Sequence, residues 1–484
     1  MKRAIESDLG TSSQTLDAAS LVADDAAVER RVVRKLDCNV LALLSVLFLL
    51  AFLDRSNIGN ARIAGMERDL HLSGSEYEWL LTIFYIAYIL FEPLIIVHKI
   101  LAARVWISIL VAGWGIAATA QAAAQSWSGL MACRFFLAVF EAGYGPGAIY
   151  LLSFFYLRSE IGLRIAIFFA AAPLATCFAG ALAYAITSGH SSLASWRLLF
   201  LVEGLPVLVM AVVAYFAMPN SPHDAWFLTG DEKRVALARE VRQAGKSKRV
   251  GTINWSETFH TLLDVKVWLT ALMYFSCNVS YSSLPVFLPT ILKDMGFSGL
   301  QAQGLSAPPY FAAFLVTIIT SFLADRTRQR GLFIIGLAVL GGTGYIMLAV
   351  AKTTAVRYVG VFFAAMGVFP SIANILPWVL NNQGSDEGRG AGIVLLNLVG
   401  QCGPLLGTRS YPQSDRPDYV KGHSISAAFM IVVAVLATIL RTILVLENKK
   451  LDKKYSVASY ESTDEVAEEE QAVENYGPKF RYIL

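Results

Sequence analysis

The sequence predicts an all-α membrane protein of twelve spanning helices arranged as two halves of six. Three observations predict it. Apolar residues make up 55% of the 484 residues and charged ones only 16%, against about a quarter charged in a soluble domain. Twelve apolar runs recur along the chain, near the ~20 residues a helix needs to cross the hydrocarbon core. A polar segment at 219–264, rich in Lys and Arg, splits the runs six and six.

Residues 1–35 read as a disordered cytoplasmic tail, polar and without the apolar core of a signal peptide. Arg30, Arg31, Arg34 and Lys35 end it. The first half follows at 36–218. The uninterrupted apolar part of span 1, 41–53, is too short to cross alone, so the helix must continue through Asp54, Arg55, Ser56 and Asn57. That puts an acid and a base at membrane depth. Spans 2 to 6 are expected at 78–98, 105–125, 128–155, 163–187 and 196–218.

In the central loop, Thr229, Gly230, Asp231 and Glu232 form a helix start, and an amphipathic helix runs to about Gln243. It reads as a solvated linker. The second half occupies 265–447, with spans at 265–290, 305–324, 331–351, 356–380, 390–408 and 424–446. An acidic tail, 448–484, is expected to be disordered and cytoplasmic. Lys and Arg in the short loops nearly balance. The N-terminal cluster, the central loop and Lys449, Lys450, Lys453 and Lys454 break the tie and put both termini inside.

Composition also excludes. No basic face is interleaved with aromatics, so nothing points to nucleic acid. The five cysteines contain no Cys-x-x-Cys pair, and no metal-ligand cluster, nucleotide loop or Gly-x-Ser-x-Gly appears. Neither a metal, an organic cofactor nor an enzyme activity is expected.

The chemistry concentrates in span 4. Arg134 and Glu141 are seven residues apart, on one helix face and ~10 Å apart along the axis. A charge at the centre of a membrane helix costs ~3 kcal/mol on insertion scales. Such residues line ion or substrate pathways, or lock helices together as an ion pair. Further polar candidates lie elsewhere. Glu203 in span 6 is either functional or a structural hydrogen-bonding group. Asn397 and Gln401, four apart on span 11, either bind substrate or join helices. Asn381 and Asn382 end span 10 as a gate or cap. Trp79, Phe84, Tyr85 and Tyr281 are candidate pocket aromatics.

Between spans 8 and 9, Asp325, Arg326, Arg328 and Arg330 resemble the Asp-Arg-x-x-x-Arg loop of the major facilitator superfamily. The matching first-half loop, His98 to Arg104, keeps only basic residues. Over 36–447 the chain resembles the anion:cation symporter group, in particular fungal allantoate-permease-like carriers. The pieces are Leu53–Ala61, Glu141 with Gly143, Pro146 and Gly147, and Trp196-Arg197 with Phe200, Glu203 and Gly204. Phe287–Ile291, Pro308-Pro309-Tyr310 and Trp378 with Asn381-Asn382 follow. Ala138 stands where that group has glycine.

The resemblance implies a major facilitator fold and uptake of a small organic anion by proton symport in the plasma membrane, as a monomer with the lipid bilayer as surroundings. By position, Asp54 and Glu141 resemble proton carriers and Arg55 the carboxylate-binding group. Arg134 would pair with the acids, while Asp325 and Arg326 belong to a gating loop. The proton is then the only coupling partner. Arginine suits a carboxylate through its planar fork and stays charged. A proton-antiport exporter is the alternative, though span 5 has Pro173 without a Gly-Pro pair. A sugar facilitator gives no reason for Arg55, and a non-transporting nutrient receptor lacks a signalling domain.

Overall fold

The computed structural model describes residues 27–189, 191–222, 224–244, 255–383, 386–454 and 480–484. The described residues contain no strand. Eleven helices among them are long and apolar enough to cross a membrane. They are Ala27–Asp69, Gly74–Ile95, Ala103–Ala123, Trp127–Phe155, Glu160–Ser188 and Ser195–Ala217, spans 1 to 6. Gly299–Thr327, Arg330–Val350, Thr354–Asn381, Gly390–Gly407 and Val420–Lys454 are spans 8 to 12. The remaining helix, Val265–Asp294, is as long but less apolar, because Ser276, Asn278, Ser280, Ser282 and Ser283 interrupt it. All five are buried, so this span 7 faces protein rather than lipid. The protein is an integral membrane protein.

Span 1 begins earlier than the sequence suggests. Val28, Val32, Leu36 and Val40 recur every fourth residue, and the last three are fully packed. This apolar stripe turns residues 27–35, read as part of the tail, into the first helical turns. The remaining residues of that expected tail, 1–26, lie outside the described residues. Span 12 likewise continues to Lys454. Residues 480–484, assigned to the acidic tail, pack against the bundle, while 455–479 lie outside the described residues.

The linker helix, Gly230–Ala244, starts where expected, with the Thr229 N–H donating to Glu232 Oε2 at 2.8 Å. It is docked rather than solvated. Lys35 bonds Glu232 at 2.7 Å and, with Thr229, holds that carboxyl below its usual range. The nearly buried Arg239 bridges Glu29 and Glu160. The start of span 1, the linker helix and residues 480–484 thus share one face of the bundle, called the termini face below.

The halves meet through span 5 on span 8, span 1 on span 7, and span 2 on the end of span 11. Within the second half, spans 9 and 10 touch backbone to backbone. A Cβ on Gly367 would collide with Gly341 Cα and N. Small residues let membrane helices approach this closely and gain packing that lipid cannot supply.

Gly367→Ala is therefore expected to force the two helices apart and cost about 1–3 kcal/mol, as overpacking does. Gly336, on the same span 9, has open space around the Cβ position. Gly336→Ala should leave stability unchanged or slightly raised. Thermal unfolding of the purified variants, followed by tryptophan fluorescence, separates the two; equal melting temperatures would refute the packing argument.

Candidate functional site

Span 1 carries Asp54, Arg55, Asn57 and Asn60 into the middle of the bundle. Asp54 is 2% exposed and Glu141 likewise 2%. The Arg55 guanidinium donates to Glu141 Oε2 from Nη2 at 2.8 Å and from Nε at 3.2 Å. It also lies over the rings of Phe84 and Tyr88, at 4.8 and 5.1 Å from their centroids. Aromatic faces stabilise a guanidinium that has left water.

Arg134 was expected to pair with the acids. It lies instead over the Phe84 ring, 5.0 Å from the centroid, and its Nε and Nη1 have no hydrogen-bond partner. The reason is the helix rise. Two turns separate Arg134 from Glu141 on the same span, whereas Arg55 reaches Glu141 from the neighbouring helix. Arg134 still acts on Asp54 and Glu141 through its charge. Four charged groups thus share one buried neighbourhood with a single direct ion pair, Arg55–Glu141. Asp54 Oδ2 and Glu141 Oε1 have no hydrogen-bond partner.

Glu203 is 1% exposed, and its charge interacts with that of Asp54. Its carboxyl faces the Asn57 side chain on span 1, but no hydrogen bond of ordinary geometry joins them. Sequence reasoning passed over Glu92 and took His98 only as the start of the first-half loop; both lie on the short 3-10 turn that ends span 2. Glu92 Oε2 is buried without a partner, and the buried His98 ring lies against the backbone of Ile95. His98 packs so closely on span 4 that a side chain at Gly147 would collide with it. The only signal was a carboxylate beside Pro93 inside an apolar run.

A cavity of about 40 Å³ lies beside Arg55, between the halves. First-half residues Arg55, Tyr85 and Tyr88 line it opposite second-half residues Asn278, Tyr281, Asn397 and Gln401. At ~10–15 Å³ for one water it holds about three. Asn397 and Gln401 therefore join Arg55 at one site, as does Tyr281, whose hydroxyl is buried without a partner. Trp79 does not line it; this side chain is exposed, with Arg409 over its ring.

Both ends of the cavity are closed. On the face opposite the termini, Arg409 of the second half bonds Glu78 at 3.3 Å and Thr82 at 3.2 Å on span 2. Tyr77 donates to the Val286 carbonyl at 3.4 Å, and its ring meets that of Phe287. On the termini face, Gly162 of span 5 abuts Arg330 and Asp325, leaving no room for a side chain. Asp325 pairs with Arg330, not with Arg326, which is exposed. Arg330 is fully buried and also donates to Asn374 at 3.3 Å. Asn382 caps the end of span 10 and Asn381 is buried beside it.

A cavity between two bundles of membrane helices, lined by polar groups and aromatic rings from both, is the architecture of a solute carrier. The proton:xylose symporter XylE shares the fold, with a TM-score of 0.63 at 14% identity over 82% of this chain and 94% of that one. A bacterial homologue of the lysosomal transporter Spinster, in its inward-facing unoccupied form, aligns with a TM-score of 0.61 at 18% identity, covering 83% and 95%. The family profile of the Major Facilitator Superfamily matches residues 44–408, and the chain belongs to that family. It is similar to the MFS transporter prlL of a fungal species, strain NRRL 50135, with 36% identity over 88% of each chain. It also resembles the high-affinity nicotinic acid transporter of Saccharomyces cerevisiae, at 29% identity over 97% of this chain and 88% of that one. The chain is a membrane transporter, not an enzyme.

The central ion pair yields a stability prediction. Removing one partner of a buried pair costs about 3–5 kcal/mol, whereas replacing both with apolar groups is often neutral. Glu141→Ala should lower the melting temperature, and Arg55→Met with Glu141→Leu should recover most of the loss. A single variant as stable as the parent would show that the pair carries no structural energy.

Proposed function

We propose that the chain is a proton-coupled importer of a small organic anion, of the allantoate-permease-like kind. The observation that carries this reading is Arg55, held by Glu141 while lining the central cavity with Asn397 and Gln401. A substrate carboxylate would compete with Glu141 for the guanidinium fork. Once displaced, Glu141 would lose its neutralising partner in a medium of low dielectric, and protonation would then be the favourable outcome. Asp54, already without a hydrogen-bond partner on Oδ2, is the second proton carrier. Arg134 would tie both protonation states to helix movement through its charge. Asn397 and Gln401 would hydrogen-bond the remainder of the substrate, across the plane where the halves part. Nicotinate, the cargo named for one relative, is a monocarboxylate of the class this site suits.

By the balance of Lys and Arg the termini face would be cytoplasmic, with the carrier taken as a monomer of the plasma membrane. A tag inserted at Lys248 should then resist protease in sealed right-side-out vesicles. External cleavage would reverse the orientation.

The deciding experiment is uptake of a panel of radiolabelled organic acids, in cells lacking their own carriers, at two external pH values. Uptake of one acid that rises at the lower pH is expected. Net loss of preloaded acid instead would make the chain an exporter. Glu141→Gln should abolish concentrative uptake while exchange of substrate across the membrane persists. With one proton per monoanion transport is electroneutral, and with two it moves one charge, worth ~2.3 kcal/mol per 100 mV. Inward current in the parent protein is thus expected if both acids load. A Glu141→Gln variant that still concentrates substrate would sink the coupling scheme.

A further inference from the structure

The segment Phe480 to Leu484 lies along the termini face of the second half in an ordered chain of hydrogen bonds. The side-chain amide of Asn448 on span 12 grips residue 482 at both ends. Its Nδ2 donates to the Tyr482 carbonyl at 2.9 Å and its Oδ1 accepts the Tyr482 N–H at 2.8 Å. Asn382, at the end of span 10, repeats the pattern on the next residue. It donates to the Ile483 carbonyl at 3.0 Å and accepts the Ile483 N–H at 2.8 Å. Trp378 Nε1 adds a second donor to that carbonyl at 2.8 Å. Leu484 then donates to the Arg328 carbonyl at 3.3 Å and accepts from the Gly331 N–H at 3.1 Å.

Every backbone N–H and carbonyl from 482 to 484 is thereby satisfied by the bundle. Two asparagine amides, each pairing with both polar groups of one residue, read an extended backbone as a neighbouring strand would. Side chains add anchors. Phe480 is buried, Arg481 bonds Asp452 at 2.7 Å, and Lys266 lies over the Tyr482 ring. Five residues thus tie together the ends of spans 7, 10 and 12 and the turn between spans 8 and 9.

That turn is the one that closes the termini face. Arg328 and Gly331 bracket Arg330, and Arg330 with Asp325 abuts Gly162 of the first half. We propose that residues 480–484 act as a strap that holds the second half in its closed arrangement at the termini face, so that opening toward that side requires the strap to release or shift. This rests on the transporter fold alone and not on the identity of substrate or coupling ion.

The test needs no substrate. Ala166 is fully buried on span 5, one helical turn from Gly162 and on the same face. Ala166→Cys, in full-length protein in lipid nanodiscs, is exposed to a hydrophilic maleimide, and its labelling rate is read by mass spectrometry at that position. Deleting 480–484 should raise the rate about tenfold, equivalent to about 1.4 kcal/mol and within reach of the lost hydrogen bonds. An unchanged rate in a deletion protein that melts like the parent would overturn the proposal. Should the deletion protein not fold, the exposed pair decides. Asp452→Arg should raise the rate roughly twofold, as loss of a surface ion pair allows. Adding Arg481→Asp should restore it. Equal rates across parent, single and double variants would equally overturn the strap.

Discussion

A guanidinium and a carboxylate cannot stand alone at the middle of a bilayer, and the rest of this bundle is arranged around that constraint. Arg55 meets Glu141 across two helices, with Phe84 and Tyr88 beneath the guanidinium. Desolvation of both groups is offset by their attraction, two hydrogen bonds and the ring faces. The same dryness makes the remaining orphan atoms consequential. Asp54, Glu203 and Arg134 keep buried oxygens or nitrogens without partners. A site finished for stability alone would pair them. An unfinished network of this kind is what the proposed coupling scheme would draw on, since ionisable groups buried in a membrane bundle mark ion and substrate pathways.

The helices around the cluster divide their labour by polarity. Spans that face lipid carry the apolar residues that the bilayer demands. Span 7 is buried on nearly every side and carries serines, Asn278 and Tyr281 instead. Some of its hydroxyls bond the helix's own carbonyls, as Ser282 and Ser283 do with those of Asn278 and Val279. Prolines 285 and 289 interrupt the same helix, and neighbouring helices make such breaks tolerable at membrane depth. Low hydropathy here marks proximity to the cavity rather than exposure to water.

Closure at the two ends rests on different chemistry. On the far face the halves touch through Arg409 on Glu78 and Thr82, and through Tyr77 on Val286. On the termini face a fully buried arginine, Arg330, presses on a glycine, and the turn that carries it is stitched to residues 480–484. The linker helix adds a second set of ties, from Lys35 and Glu29 to Glu232 and Arg239. The result is a carrier with both gates shut over a cavity of a few waters.

The sequence by itself determined the class of fold, the approximate spans and the identity of the charged residues. Those follow from one-dimensional constraints: the length of helix a bilayer needs and the cost of a charge within it. Asp54 and Arg55 were legible because span 1 could not cross without them. The spacing of Asn397 and Gln401 marked them as substrate-binding or helix-joining groups, and only the structure brings them to the same cavity as Arg55. Pairing was not legible. Arg134 and Glu141 share a helix face, and only the crossing of span 1 on span 4 shows that Arg55 is the partner. Glu92 and Asn448 were silent, and His98 was read only as a loop residue, for the same reason, since their meaning comes from helices distant in sequence. The tails misled because polarity was read as disorder. Residues 27–35 and 480–484 bury few side chains each, and what orders them is a surface that exists only once the bundle has formed. Helix length and charge cost are local and additive; contact between helices is neither, and it alone chose the partners.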